Sequence, residues 1–232
     1  MPSDATSSPT PDDVRAQMRA WVLDADYPCL GARAVFNRDR AHIATTGRLG
    51  HVRSSFDVYC ALRDFGESAD PDAGFTSLMA AFGGPPPPTE RAFEDALWRT
   101  LQHLCDFDDS PWNPDVSSDP DDVNFSFSIG GTAFFVVGLH PNASRIARRA
   151  PWPILTFNLH AQFEQLKQTE RYAHMRDTIR SRDFELQGSV NPMVADHGTI
   201  SEARQYSGRA VPDSWQAPLD VVPDTDPASS TS

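Results

Sequence analysis

Gly130-Gly131 stands between two apolar-rich runs, 124–129 and 132–139, and this arrangement constrains the fold more than any other feature of the chain. Two adjacent glycines supply the left-handed backbone that a two-residue hairpin turn requires, so the runs are expected to pair as antiparallel strands. Phe125, Phe127 and Ile129 alternate with Ser126 and Ser128, which leaves one face of the first strand polar. A second hairpin is expected from 31–37 and 40–46, around a polar Asn37-Arg38-Asp39 turn, and a further strand over 154–157. Helical spacing of apolar residues, or short apolar runs, predicts helices at 15–22, from Ser55 through Phe65, at 75–82, from Thr89 through Leu104, at 142–149 and over most of 162–186. The pattern is α+β: a single domain with a mostly antiparallel sheet built from two hairpins plus one further strand, packed with helices.

A chain of 232 residues with 39% hydrophobic content can bury one core. Residues 1–13 and 213–232 are rich in Ser, Thr, Pro and Asp and hold no Lys or Arg, a composition that cannot offset its ordering entropy. They are expected to be disordered acidic tails flanking a domain at 14–212. The net charge of −12 argues against a general nucleic-acid binder or a polybasic membrane anchor. That charge is unevenly spread. The tails and the Pro-interrupted 106–122 segment hold the acids, whereas residues 138–212 carry ten bases against seven acids. Such a stretch either holds an anion, for instance a carboxylate, phosphate or cofactor propionate, or is a solvated face laced with ion pairs. No apolar run reaches the roughly 18 residues of a membrane helix. With no signal-peptide pattern at the N-terminus, a cytoplasmic protein without a membrane partner is expected. Residues 85–88, all proline, read as a short stiff spacer.

Cys29, Cys60 and Cys105 have no paired spacing, so neither a disulfide framework nor a zinc site is indicated. Cys60 and Cys105 fall on apolar helix faces. Cys29 follows the restricting Pro28 and precedes Gly31 and Arg33, so it reads either as a reactive or metal-binding thiolate or as a small buried hydrophobe. His140 ends a strand just before Arg145, Arg148 and Arg149. It reads as a metal ligand or acid/base group, with the arginines holding an anion, or as a hydrogen-bonded strand end with exposed arginines. The 186–209 segment is dense in amides, hydroxyls and arginines. It either lines a polar pocket, with Asp196 or Glu202 taking a cationic group, or wraps the core through its own hydrogen bonds. Phosphate loops, nucleophile elbows and zinc-protease helices are missing from the sequence, and the remaining histidines are scattered.

Five segments together resemble the YqcI/YcgG family: Tyr-Pro-Cys-Leu-Gly-Ala-Arg at 27–33, Leu-His-Pro-Asn-Ala-Ser-Arg at 139–145, Phe-Asn-Leu-His-Ala-Gln-Phe-Glu at 157–164, Gln-Gly-Ser-Val-Asn-Pro-Met at 187–193 and Ser-Glu-Ala-Arg-Gln-Tyr-Ser-Gly-Arg at 201–209. The likeness runs over residues 20–212 and is nearest to the branch of haem-dependent N-hydroxylases of arginine-like substrates, of the guanitoxin and D-cycloserine biosynthesis type. It implies haem b as cofactor, with Cys29 as the axial thiolate of the iron and His140 as the rival ligand. Arg33 stands where the family usually has a basic residue, which implies a propionate contact, and Arg145 and Arg149 are further candidates. Tyr27 departs mildly from the usual Phe. The implied reaction is N-hydroxylation of a guanidine- or amine-bearing small molecule with dioxygen, or with peroxide. Because the chain has no flavin or nicotinamide motif, electrons would come from a reductase or ferredoxin. His140 is the expected acid/base group, and Glu202 and Asp196 are chosen as partners for the substrate's cation. Two other readings stand beside this one: a haem or small-ligand binding protein without turnover, and a non-haem iron oxygenase using His140 with Asp or Glu ligands.

Overall fold

A computed structural model describes residues 9–167, 171–189 and 200–221 of the chain. Helix α1, Pro11–Val22, starts where Thr10 accepts a hydrogen bond from the Asp13 N–H at 3.2 Å, with Asp12 and Asp13 in the first turn to oppose the helix dipole. Val14, Met18 and Val22 recur every fourth residue and are buried. Helix α2, Leu30–Asn37, replaces the strand expected at 31–37. After Pro28 the Cys29 thiol caps the chain as a helix, and Ala32, Val35 and Phe36 then share its buried side. The polar turn beyond it, where Asp39 takes a φ of 54°, leads into strand β1, Ala41–Thr46.

Helix α3, Val52–Ser68, crosses from β1 to strand β2, Ser77–Phe82, so these two strands lie parallel, with Ala41 opposite Ser77 and Thr46 opposite Phe82. The helix expected at 75–82 is therefore a strand. Every residue of β2 is buried, and a strand covered on both faces shows an unbroken apolar run in place of alternation. Helix α4, Glu90–Phe107, follows, capped by Thr89 as its sequence indicates. Strands β3, Phe127–Ile129, and β4, Thr132–Leu139, form the expected hairpin, with Gly130 and Gly131 at φ 62° and 72°. Strand β5, Ile154–Leu159, lies antiparallel between β2 and β4. Only a single 3-10 turn, Ile146–Arg148, occupies the helix expected at 142–149. Helices α5, His160–Lys167, and α6, Arg171–Gln187, cover the last expected helical stretch, and a 3-10 turn, Glu202–Gln205, follows.

The sheet order is β1-β2-β5-β4-β3, mostly antiparallel, so the α+β reading holds. One hairpin and one parallel crossover build it, in place of the two hairpins expected. Helices α3 and α4 pack one face around Leu62, Phe93, Leu97 and Phe157, and α1 and α2 pack the other around Met18, Phe36, Met79 and Ile154. The body extends beyond 14–212 at both ends: residues 11–13 are the first turn of α1, and Leu219 is buried in the α3/α4 core with Trp215 packed beside it. No helix among the described residues is long and apolar enough to cross a membrane.

Candidate functional site

The C-terminal end of β4 is where the chemistry gathers. Gly138 there has no room for a side chain: a Cβ would stand 2.7 Å from Phe93 Cε1 and 2.8 Å from the Tyr206 carbonyl oxygen. Its N–H instead donates to that carbonyl at 2.7 Å, which brings the backbone after Gln205 against the strand. The Arg148 guanidinium closes the same corner, donating to the carbonyls of Gly138 at 2.9 Å, Gln205 at 3.3 Å and Tyr206 at 3.5 Å. Burial lowers its pKa, opposed by Tyr27 and Cys29 among its neighbours.

Cys29 reaches this corner from the α2 side, packed in the cluster that holds Val137 and Leu139. Its Sγ accepts from the Ala32 N–H at 3.4 Å. Two influences oppose each other at the thiol. Burial pushes its pKa up and wins, while the Ala32 and Gly31 amides and the Arg148 charge pull it down. Tyr27, edge-on to Trp21 at 4.8 Å, is likewise pushed up by burial and by Cys29.

His140 occupies the opposite face of β4. Its ring stacks on Phe93 at 4.2 Å and is wholly buried. Neither Nδ1 nor Nε2 has a hydrogen-bond partner. Burial, reinforced by Arg148 and opposed by Glu90, pushes its pKa down to about 4, so the imidazole is neutral with a lone pair available. Buried polar atoms are almost always partnered, so two orphans on one ring leave room for a water, an ion or a ligand as partner.

The other arginines are held elsewhere. Arg33 donates to the carbonyls of Val22, at 3.3 Å, and Asp24, tying α2 to the end of α1. Arg145 is buried and bonded to Asp183 at 2.5 Å and to the Ser189 hydroxyl at 2.9 Å. Arg149 donates to the carbonyls of Ala143 at 2.7 Å and Ser144 at 3.2 Å. It is Arg148, singled out by no spacing in the sequence, whose charge reaches both Cys29 and His140.

Glu202 belongs to a second buried group. Its Oε1 accepts from Ser126 at 2.9 Å and from the Tyr206 hydroxyl at 2.5 Å, and its Oε2 lies 4.0 Å from His160 Nδ1. Burial outweighs those hydrogen bonds and pushes its pKa up to about 8, so it is protonated at neutral pH. The 3-10 turn Glu202–Gln205 joins the two groups, with Glu202 at its start and the carbonyls bound by Arg148 at its end. Sequence reading missed Ser126 and Tyr206 as partners of Glu202; the signal was the polar face of the first hairpin strand. Asp196 lies outside the described residues. Among the described residues no three His, Cys, Asp or Glu side chains stand together as a metal site. Cys29 and His140, on opposite faces of β4, each offer one donor atom of a kind that can ligate a haem iron.

The profile of the YqcI/YcgG family matches residues 18–220. The chain is 27% identical over 183 residues to the uncharacterized protein YcgG of Bacillus subtilis (strain 168), covering 75% of this chain and 72% of that one. It is 26% identical over 190 residues to the uncharacterized protein YqcI of the same organism, covering 74% and 75%. No solved structure matches it.

Proposed function

The chain belongs to the YqcI/YcgG family, and from that premise we propose that it is a haem-dependent monooxygenase. It N-hydroxylates a guanidine- or amine-bearing, arginine-like metabolite, using dioxygen with electrons from a reductase or ferredoxin, or using peroxide. The observation that carries this reading is the buried His140 ring, with both nitrogens unpartnered among the described residues, on one face of β4 and the half-buried Cys29 thiol, bonded by the Ala32 N–H, on the other, with the Arg148 charge reaching both. When bound through a thiolate, haem iron supplies O–O bond cleavage and an oxygen atom for the substrate nitrogen.

The chain's own residues have separable tasks. Cys29 would hold the iron as its thiolate, a form that the Arg148 charge and the Ala32 and Gly31 amides favour against burial. Arg33, Arg145 and Arg149 would take the propionates, each giving up contacts it now makes within the fold, to backbone carbonyls and, for Arg145, to Asp183. Glu202 meets the substrate's cation. A guanidinium placed beside it favours the ionised carboxylate, so binding releases the proton that Glu202 carries at neutral pH. His140 is neutral at pH 7 and would offer a ring lone pair to a proton or to iron on the other face of β4 from Cys29.

A second reading, imidazole ligation, is favoured by the two orphaned nitrogens of His140. The ferrous carbon monoxide spectrum separates the two, because thiolate ligation moves the Soret band strongly to the red. Haem-reconstituted wild-type protein is expected to show the red-shifted band, Cys29→Ala to lose it and His140→Ala to keep it. A band without the red shift that disappears in His140→Ala instead assigns the iron to the imidazole. Absence of any Soret band, or a spectrum unchanged in both variants, overturns the haem reading. Incubation with arginine-like amines, reductase and dioxygen should add the mass of one oxygen atom; a Soret band with no mass gain would make the protein a carrier.

A further inference from the structure

A cleft of about 510 Å³ opens on the molecular surface between α4, the loop after β1 and the proline run at 85–88. None of the Cys29, His140 or Glu202 groups lines it. Its floor is one face of α4, where Ala92, Asp95, Ala96 and Arg99 recur at helical spacing. One wall is the proline run, with Pro153 nearby; the other carries Arg48 and His51.

Three anchors hold these parts in place. The Gly50 N–H donates to Thr100 Oγ1 at 3.0 Å, and Gly50, at φ 80°, approaches Ala96 so closely that a Cβ would sit 3.4 Å from it. Asn142 Nδ2 donates to the Pro87 carbonyl at 2.8 Å, fixing the proline wall. The Gly83 N–H is bound by the carbonyls of Thr46 and Gly47. The walls are stiff as well as anchored, since each proline has a fixed φ.

The cleft is lined by two arginines, Arg48 and Arg99, against one acid, Asp95. Neither the Arg48 nor the Arg99 guanidinium has a hydrogen bond or ion pair within the described residues, while Asp95 forms an exposed pair with Arg91 at 3.2 Å. Unneutralised guanidinium groups are notable in a chain of net charge −12. Lining one cleft with a run of prolines, they offer two guanidinium groups to an oxyanion, which guanidinium binds through parallel N–H donors. The volume falls within the roughly 300–1,000 Å³ of small-molecule sites. We propose that this cleft binds a small organic dianion, a phosphate ester or a dicarboxylate, whose charged end lies between Arg48 and Arg99 and whose apolar body rests on the prolines.

The test is calorimetric titration of the full chain without haem, so that its outcome is independent of the haem reading. The probes are phenyl phosphate, phthalate and inorganic phosphate, each at low ionic strength and at roughly 0.15 M salt. Phenyl phosphate or phthalate should bind saturably with one site and more weakly at the higher salt, and whichever of the two binds more tightly identifies the oxyanion. Inorganic phosphate should bind roughly tenfold more weakly than phenyl phosphate. Arg48→Ala/Arg99→Ala should lose at least about tenfold in affinity; both side chains are exposed, so the fold tolerates the change, and Arg99→Glu serves as the charge-reversed control. The proposal is overturned if neither organic probe binds, or if the double variant binds as the wild type does. Equal affinity for inorganic and phenyl phosphate removes the apolar body from it.

Discussion

Glu202 is the residue at which position in the fold most changes chemistry. An ordinary carboxyl titrates near pH 4.5, but burial among Ser126, Tyr206 and His160 raises this one to about 8. The folded chain thus binds one more proton than the unfolded chain between those values. The stabilisation from this group is fully present below pH 4.5 and is lost as pH rises through about 8. Glu202→Gln, neutral throughout and able to accept from the same two hydroxyls, should abolish that contribution. Urea unfolding across pH 5–8 should show the wild type losing stability relative to the variant by an amount on the order of a few kcal/mol. Parallel curves would mean that Glu202 is ionised in the fold. His42 and His140, depressed in both proteins, cancel in the comparison. Sequence motifs drew attention to Glu202, Cys29 and His140. They could not separate Arg148 from Arg145 and Arg149, because three arginines within five positions differ only in what the folded chain puts in front of each.

At the scale of elements, local chemistry was legible wherever a cap or a turn declared itself. Thr89 before an acidic first turn, and Gly130-Gly131 between alternating runs, both act as their sequences indicate. Thr89 accepts the Ala92 N–H at 3.1 Å, so Thr89→Ala should lower unfolding free energy by about 1 kcal/mol, with Thr89→Ser close to wild type. An unchanged urea midpoint would show that packing alone sets the start of α4. The effect extends beyond stability, because α4 carries Phe93 beneath His140 and the floor of the dianion cleft. Two elements were misread for reasons of length and burial. α2 is an eight-residue segment whose apolar positions also suit a strand, and β2 is apolar without a break from Leu78 to Phe82, so neither displays a period that decides its type.

The whole molecule decides how far the domain reaches. The segment after 212 is acidic and looks like a tail, yet Trp215 lies 5.8 Å from Trp98, Leu219 is 6% exposed, and the Asp220 N–H donates to Gln102 at 2.8 Å. A chain ending at residue 212 should therefore lose about 3 kcal/mol or more, read from its urea midpoint, through the lost burial of Leu219 and Trp215. An undiminished midpoint would remove 213–221 from the cooperative unit. By itself the sequence determined the α+β class, the helices α1, α3 and α4, the β3–β4 hairpin and the family, because capping, turn geometry and ordered motifs are local and survive without the fold. Only the tertiary structure decided the parallel pairing of β1 with β2, the choice of Arg148, the proton on Glu202 and the cleft beside the prolines. Each of those depends on groups distant in sequence sharing one buried or concave environment, and burial and electrostatic neighbourhood are properties of the folded chain.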